Sequence, residues 1–450
     1  MRWDKRGVRK IVVVAAALAL VLWLGALTAP VLQNGDAAVY NDQVDQRNLA
    51  VRTSHIGYMA LGIVFRALLP GPTDLVMNRM TVVIGVAGLA AIYFTARRLT
   101  QSDLSSAIAA VGLLCIPAYT RGLLISEVDV PLAAFVAIAY CFAVHGRPWI
   151  AGPVFGYAML ISPLAALTLP AFVLAPLIVV GGERTMFRGW LRAVSSFAIS
   201  SLLVYGSVVA LNWQEYLYGG RGLLHAPRSK FSLPLHVQRS ARFFWAQAGL
   251  WLLVLYLVGA GVAIFRRSWP LVLGAVAAGV TALVFGERAG DVPIQLPTLA
   301  LASPLLGFSS AVGIRYVRLG IATLSLAVVV LRGFDAYDAV RAEIDKLSRE
   351  RAVYVEIKAR DAQPPMVVGV RNFTQTRRLA RILYGTSYSP YAMTTSQFRH
   401  RCQAFARDGV RNTFWFIGRP VHGICTELLE KYQLAQRIVH GRKFSVLVPR

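Results

Sequence analysis

The chain has 450 residues, 56% of them apolar and only 15% charged, with a mean hydropathy of +0.54. A soluble globular enzyme carries roughly 25% charged residues and far fewer long apolar runs, so that class is excluded, as are a disordered chain and, with four cysteines, a disulfide-stapled mini-domain. Forty-seven Lys+Arg against 22 Asp+Glu leave a formal +25, which in so apolar a chain belongs to loops retained on the inner side of a membrane rather than to nucleic acid.

A membrane helix needs about 20 apolar residues to cross roughly 30 Å of hydrocarbon. Residues 11–32 form the first such run, behind the basic start MRWDKRGVRK. No convincing small-residue cleavage site follows, so the segment reads as an anchor and not as a signal peptide. Further runs lie near 79–96, 104–120, 130–145, 149–162, 164–181, 193–212, 246–265, 268–286, 293–312 and 314–332. The expectation is a polytopic α-helical membrane protein with about 11 spans.

Residues 55–69 are apolar but short, and they carry Arg66. If this segment lies flat on the outer surface, every basic loop falls inside, with 15 Lys+Arg and 3 acids against 11 and 9 on the opposite side up to residue 331. That asymmetry favours an interfacial helix, with the N-terminus inside and the C-terminus outside.

Beyond the last span the composition changes abruptly. Helical charge patterns (338–351, 377–383, 426–436) mix with strand-like runs (352–355, 366–370, 413–417, 444–448). The expected organisation is a membrane module over 1–332 and a small α/β domain over 333–450, outside the membrane. This tail is basic, and long translocated domains escape the charge rule. Cys402 and Cys425 both lie in it; in an oxidising space they could pair, and two free thiols are the alternative.

Ionisable groups are costly in hydrocarbon, and the span interiors hold essentially none. A proton- or ion-coupled carrier is therefore disfavoured, and chemistry at the outer membrane boundary is favoured. Two acidic stretches fall on that side: Gly35-Asp36-Ala37-Ala38-Val39-Tyr40 after the first span, and Ser126-Glu127-Val128-Asp129-Val130-Pro131 before the span at 130–145. Taken singly, Asp36 and Asp129 also suit helix N-caps, and Glu127 suits plain loop solvation.

Asp36 after span one, the outer interfacial helix and the stretch Leu124-Ile125-Ser126-Glu127-Val128-Asp129-Val130-Pro131-Leu132-Ala133-Ala134-Phe135 resemble the GT-C superfamily of membrane glycosyltransferases. The last stretch is similar to the Leu-x-Asp-x-Pro-Leu-x-x-Phe run of protein O-mannosyltransferases and lipid A aminoarabinose transferases. His55-Ile56-Gly57-Tyr58 resembles the His-x-x-Gly-Tyr region of related mannosyltransferases, one residue shorter. Gly286-Glu287-Arg288-Ala289-Gly290-Asp291-Val292-Pro293 resembles a Glu-Arg-Tyr-x-x-Pro segment near the donor phosphate, with Ala289 replacing Tyr and one extra residue before Pro.

The resemblance implies an inverting transferase that takes a sugar from a polyprenyl-phosphate donor at the outer face of a bacterial inner membrane. Asp36 becomes the expected base, with Glu127 and Asp129 orienting the acceptor or, with Asp36, holding a divalent Mg²⁺ or Mn²⁺. The candidate donor-phosphate and substrate residues are His55, Tyr58, Arg121, Arg221, His225, Arg228, Lys230, Glu287 and Arg288. Independently, no Gly-rich phosphate loop follows a strand, and no inner domain is large enough for a nucleotide sugar. The basic tail hints at an anionic lipid or cell-envelope glycan as acceptor. Two other classes stay open: a lipid-linked sugar flippase or exporter, and a non-catalytic cell-envelope assembly protein.

Overall fold

The computed structural model describes residues 20, 35–47, 49, 55–124, 127–179, 186–211, 233–285, 292–311, 315–361, 364–370, 373–384, 391–417 and 424–450. The chain is mostly helical with one small sheet, and it divides into two compact units. One comprises residues 1–28, 48–70 and 76–341; the other comprises 29–47, 71–75 and 342–450.

The first unit is built of helices. In chain order they are α2 (Ile56–Leu68), α3 (Thr73–Thr100, its first residues in the second unit), α4 (Asp103–Leu114), α5 (Pro117–Leu124), α6 (Asp129–Val144) and α7 (Pro148–Ile161). A 3-10 turn over Pro163–Thr168 leads into the short α8 (Leu169–Leu174) and α9 (Pro176–Val179). Then come α10 (Met186–Leu211), α11 (Leu233–Phe265), α12 (Trp269–Phe285), α13 (Val292–Ser309) and α14 (Arg315–Arg360), which ends in the second unit. The ten apolar runs after the first thus coincide with helical segments, and the run at 11–32 lies outside the described residues apart from residue 20.

Among the described residues three helices are long and apolar enough to cross a membrane: Thr73–Thr100, Met186–Leu211 and Val237–Phe265. Asp103–Leu114 and Pro117–Leu124 make a fourth if they count as one span bent by 70°. Proline explains that bend. Pro117 has no N–H to continue the ladder, and the Gln247 side chain accepts from the next free amide, Ala118 N, at 2.7 Å. Shortness has a similar origin elsewhere: Pro163, Leu169-Pro170 and Pro176 divide the run expected at 164–181 into three pieces. Close helix packing is achieved with small residues. A Cβ at Gly88 of α3 would lie 2.7 Å from Ala134 Cα of α6, so only glycine admits this contact.

The second unit holds α1 (Gly35–Asp45) and an α/β fold: β1 (Met366–Val370), α15 (Phe373–Tyr384), β2 (Ala392–Thr394), α16 (Thr395–Arg407), β3 (Phe414–Phe416), α17 (Thr426–Lys431), β4 (Tyr432–Val439) and β5 (Arg442–Pro449). The sheet order is β2-β1-β3-β5-β4, with β1 parallel to both neighbours and β5 antiparallel to β3 and β4. His440 and Gly441, both at positive φ, make the tight turn of the β4–β5 hairpin. Strand alternation buries both faces. Met366, Val368, Phe414, Phe416 and Leu447 pack with Phe398, Cys402 and Phe405 of α16. Val367, Trp415, Phe444 and Val446 pack with Val353, Tyr354 and Ile357 of α14 and Leu379 and Leu383 of α15. Cys402 and Cys425 form a disulfide that ties α16 to the start of α17.

Two sequence expectations fail here. Residues 352–355 are not a strand but part of α14: Val353, Tyr354 and Ile357 repeat at helical spacing and face the sheet. The helix expected over 426–436 stops at Lys431, and Tyr432 begins β4, because its backbone pairs with Pro449 of β5. Tertiary pairing outweighs local propensity in a segment whose exposed Gln433, Leu434 and Gln436 suit either state.

Candidate functional site

The first unit gathers polar groups around the start of α2. His55 Nδ1 lies 2.6 Å from the carbonyl oxygen of Ile161, at the end of α7. A carbonyl only accepts, so the proton of this bond sits on Nδ1. Tyr157 of α7 donates its hydroxyl to Gly57 O at 2.9 Å. A Cβ on Gly57 would stand 2.9 Å from the backbone atoms Ile161 N and Leu160 C, which explains the glycine. These contacts hold the first turn of α2 against the end of α7.

Tyr58, fully buried, points its hydroxyl to Thr81 Oγ1 of α3 at 3.5 Å. Its hydroxyl is held well above the usual phenol range, first by burial and then by the negative charges of Glu127 and Asp129. Those two carboxylates therefore lie within electrostatic reach of the Tyr58 hydroxyl. Asp129 is itself buried, Glu127 half-buried. Asp129 is not an N-cap: the cap of α6 is Val128, without a side-chain hydrogen bond, and Asp129 is the first helical residue. Its charge there faces the positive end of the helix dipole. His55, Tyr58, Glu127 and Asp129 all belong to this unit, and Arg121 is exposed in the last turn of α5.

The second unit contains Asp36, in the first turn of α1; its side chain lies outside the described residues. Further along α1, Asp42 and Asp45 meet a residue that sequence reasoning did not single out. Arg381 of α15 pairs through Nη1 with Asp42 and through Nη2 with Asp45 at 2.5 Å, and its Nη2 is 3.7 Å from Asp74. Thr73 donates to Asp45, and Asn41 Nδ2 to Asp74 Oδ1 at 3.0 Å. Burial works against the Arg381 charge, but the Asp45 hydrogen bond and the charges of Asp74 and Asp42 raise its pKa overall. The signal in sequence was the Asp42/Asp45 spacing of three, which shares one helix face, but nothing local names the partner.

Arg221, His225, Arg228, Lys230, Glu287 and Arg288 lie outside the described residues. Among the described residues no three His, Cys, Asp or Glu side chains are grouped to hold a metal ion.

No family model matches the sequence, and no curated protein matches it. Solved structures do resemble the fold. ArnT from Cupriavidus metallidurans in the apo state superposes with a TM-score of 0.64 at 13% identity, covering 99% of this chain and 98% of that one. The same protein bound to undecaprenyl phosphate gives 0.65 at 13% identity, covering 97% of each chain. An oligosaccharyltransferase from Archaeoglobus fulgidus gives 0.52 at 11% identity over 93% of this chain and 70% of that one. Both proteins are GT-C glycosyltransferases, and the present chain has their fold.

Proposed function

We propose that the chain is a multi-pass glycosyltransferase that moves a hexosyl or pentosyl unit from a polyprenyl-phosphate donor to an acceptor on the outer face of a bacterial inner membrane. The observation that carries this reading is the fold shared, over nearly the whole of both chains, with a protein solved with undecaprenyl phosphate bound. Folds host many activities, so the chemistry is argued from this chain's own residues. In this reading the chain makes about eleven passes, its N-terminus is cytoplasmic and its α/β domain lies outside.

The Asp36 carboxylate accepts the proton of the acceptor hydroxyl. The acceptor oxygen attacks the anomeric carbon from the side opposite the phosphate, the C–O bond to phosphate breaks, and polyprenyl phosphate departs with inversion. Arg221, Arg228, Lys230 and Arg288 meet the charge left on the phosphate, with Arg offering two parallel donors. His55, His225, Arg121 and Glu287 contribute to binding the donor and acceptor. Glu127 and Asp129, with Tyr58 of α2, orient the acceptor hydroxyls. Glu127 and Asp129 are oxygen donors of the kind that Mg²⁺ or Mn²⁺ accepts; an ion held by them would help neutralise the departing phosphate. The acceptor is an anionic lipid or envelope glycan, in keeping with the basic tail.

The test is transfer from a synthetic polyprenyl-phosphate sugar by purified wild type and Asp36→Asn, together with lipid and surface glycans of cells carrying each. A base worth about 10²–10⁴-fold should leave the variant nearly inactive. An unchanged glycan profile with normal expression of the variant defeats the assignment.

A further inference from the structure

We propose that Arg381 is a positioning residue: the α/β domain sets the angle of α1, and hence of Asp36, through a forked ion-pair clamp. The inference rests on the reading of Asp36 as the base, and it makes the α/β domain part of the catalytic apparatus rather than an appendage.

Helix α1 is short. It has 11 residues, opens on Gly35 and carries no basic residue in its last turn. Isolated helices shorter than about 12–15 residues are marginal in water, so α1 depends on what it packs against. Its C-terminal half also carries Asp42 and Asp45, whose charges oppose the negative end of the helix dipole. An external cation is therefore required, and Arg381 supplies it. Its guanidinium engages Asp42 through one nitrogen and Asp45 through another, a planar fork that a lysine cannot reproduce. The side chains of Arg381 and Asp42 are only 12% and 8% exposed, so solvent screens this pair little.

Two further contacts make the clamp directional. Ile382, the neighbour of Arg381 on α15, packs against Ala37 and Ala38, immediately after Asp36. Asp74, at the start of α3, closes the network through Asn41 and sits 3.7 Å from the same Arg381 nitrogen. The helix is thus held at both ends, by an apolar contact beside Asp36 and by ion pairs one to two turns later. Asp36 and Asp42 are six residues apart, roughly 9 Å along a helix, so a tilt released at Asp42 moves Asp36 by a comparable angle. Misplacing a reacting group by about 1 Å can cost about 10²-fold.

The experiment compares full-length wild type, Arg381→Met, Arg381→Lys, Asp42→Asn, Asp45→Asn and Asp36→Asn in detergent or nanodiscs. Two readouts are taken: kcat and KM with a polyprenyl-phosphate sugar, and amide hydrogen exchange over residues 35–45 and over β1 and β3. The clamp predicts that Arg381→Met lowers kcat by about 10²-fold while donor KM changes less than about threefold. Arg381→Lys should recover part of kcat, and exchange should rise over 35–45 while β1 and β3 stay protected. Unchanged kcat in Arg381→Met, with Asp36→Asn inactive, overturns the proposal, as does unchanged exchange over 35–45. Should Arg381→Met lose protection in β1 and β3, the domain has unfolded and Asp42→Asn and Asp45→Asn decide by the same two criteria. If Asp36→Asn keeps full activity, the base assignment falls and with it the catalytic half of the proposal; the exchange data then judge the clamp alone.

Discussion

The imidazole of His55 and the backbone carbonyl of Ile161 meet at 2.6 Å, although 106 positions separate them in the chain. This one bond fixes the tautomer of His55 and docks the beginning of α2 on the end of α7. It gives the His-Ile-Gly-Tyr segment a physical meaning: histidine to donate, glycine to permit contact, tyrosine to reach inward.

Replacing His55 by Ala removes the donor and leaves the Ile161 carbonyl to find another. A hydrogen bond of this kind contributes about 0.5–1.5 kcal/mol. His55→Asn retains an N–H near the position of Nδ1 and should keep more of the thermal stability than His55→Ala. The check is the melting of both variants in detergent; equal losses would mean the bond contributes nothing.

Gly57→Ala should be harsher than its single added methyl suggests. The new Cβ would lie 2.9 Å from Ile161 N and Leu160 C, backbone atoms that cannot rotate away. Overpacking of this kind costs about 1–3 kcal/mol. Thermal melting should show the loss, whereas Gly261→Ala, whose added Cβ meets nothing within 4 Å, serves as the control.

Tyr58→Phe tests the polar cluster without emptying the core. The ring remains, and the hydroxyl facing Thr81 and the charges of Glu127 and Asp129 disappears. Stability should change by about 1 kcal/mol or less, and transfer activity should fall if the hydroxyl helps orient substrate. Asp129→Asn and Glu127→Gln should lower the same step; normal rates in all three would remove this cluster from the mechanism.

The α/β domain offers two stability tests. Trp415 is completely buried between strand β1, α14 and α15, so Trp415→Ala should cost about 3–5 kcal/mol. The Cys402–Cys425 bond closes a loop with a sequence separation of 23, worth about 3 kcal/mol in the chain-entropy model. Paired Cys402→Ser and Cys425→Ser replacement should therefore speed proteolysis of this domain, and unaltered digestion would contradict the estimate.

Much of this molecule was written in local chemistry. Long apolar runs read as helices, so ten of them could be placed from the sequence and recur as helical segments, and three of the described helices are long and apolar enough to cross a membrane. Strands β1, β3 and β5 were equally legible, because alternating apolar residues between turns have few other uses. What local pattern could not decide were elements whose identity depends on a distant neighbour. The 352–355 run became helix because α14 continues through it onto the sheet, and Tyr432 became strand because β5 lies alongside. The candidate site divides in the same way. Acid-bearing stretches and the His-Ile-Gly-Tyr segment stood out by residue type, since carboxylates beside long apolar runs are conspicuous. Arg381 did not, being one of 47 cations; only folding, which carries it across 336 positions to Asp45, distinguishes it from the rest. Charge pairing acts through space at a few ångströms, and chain order holds no record of which charges will come that near.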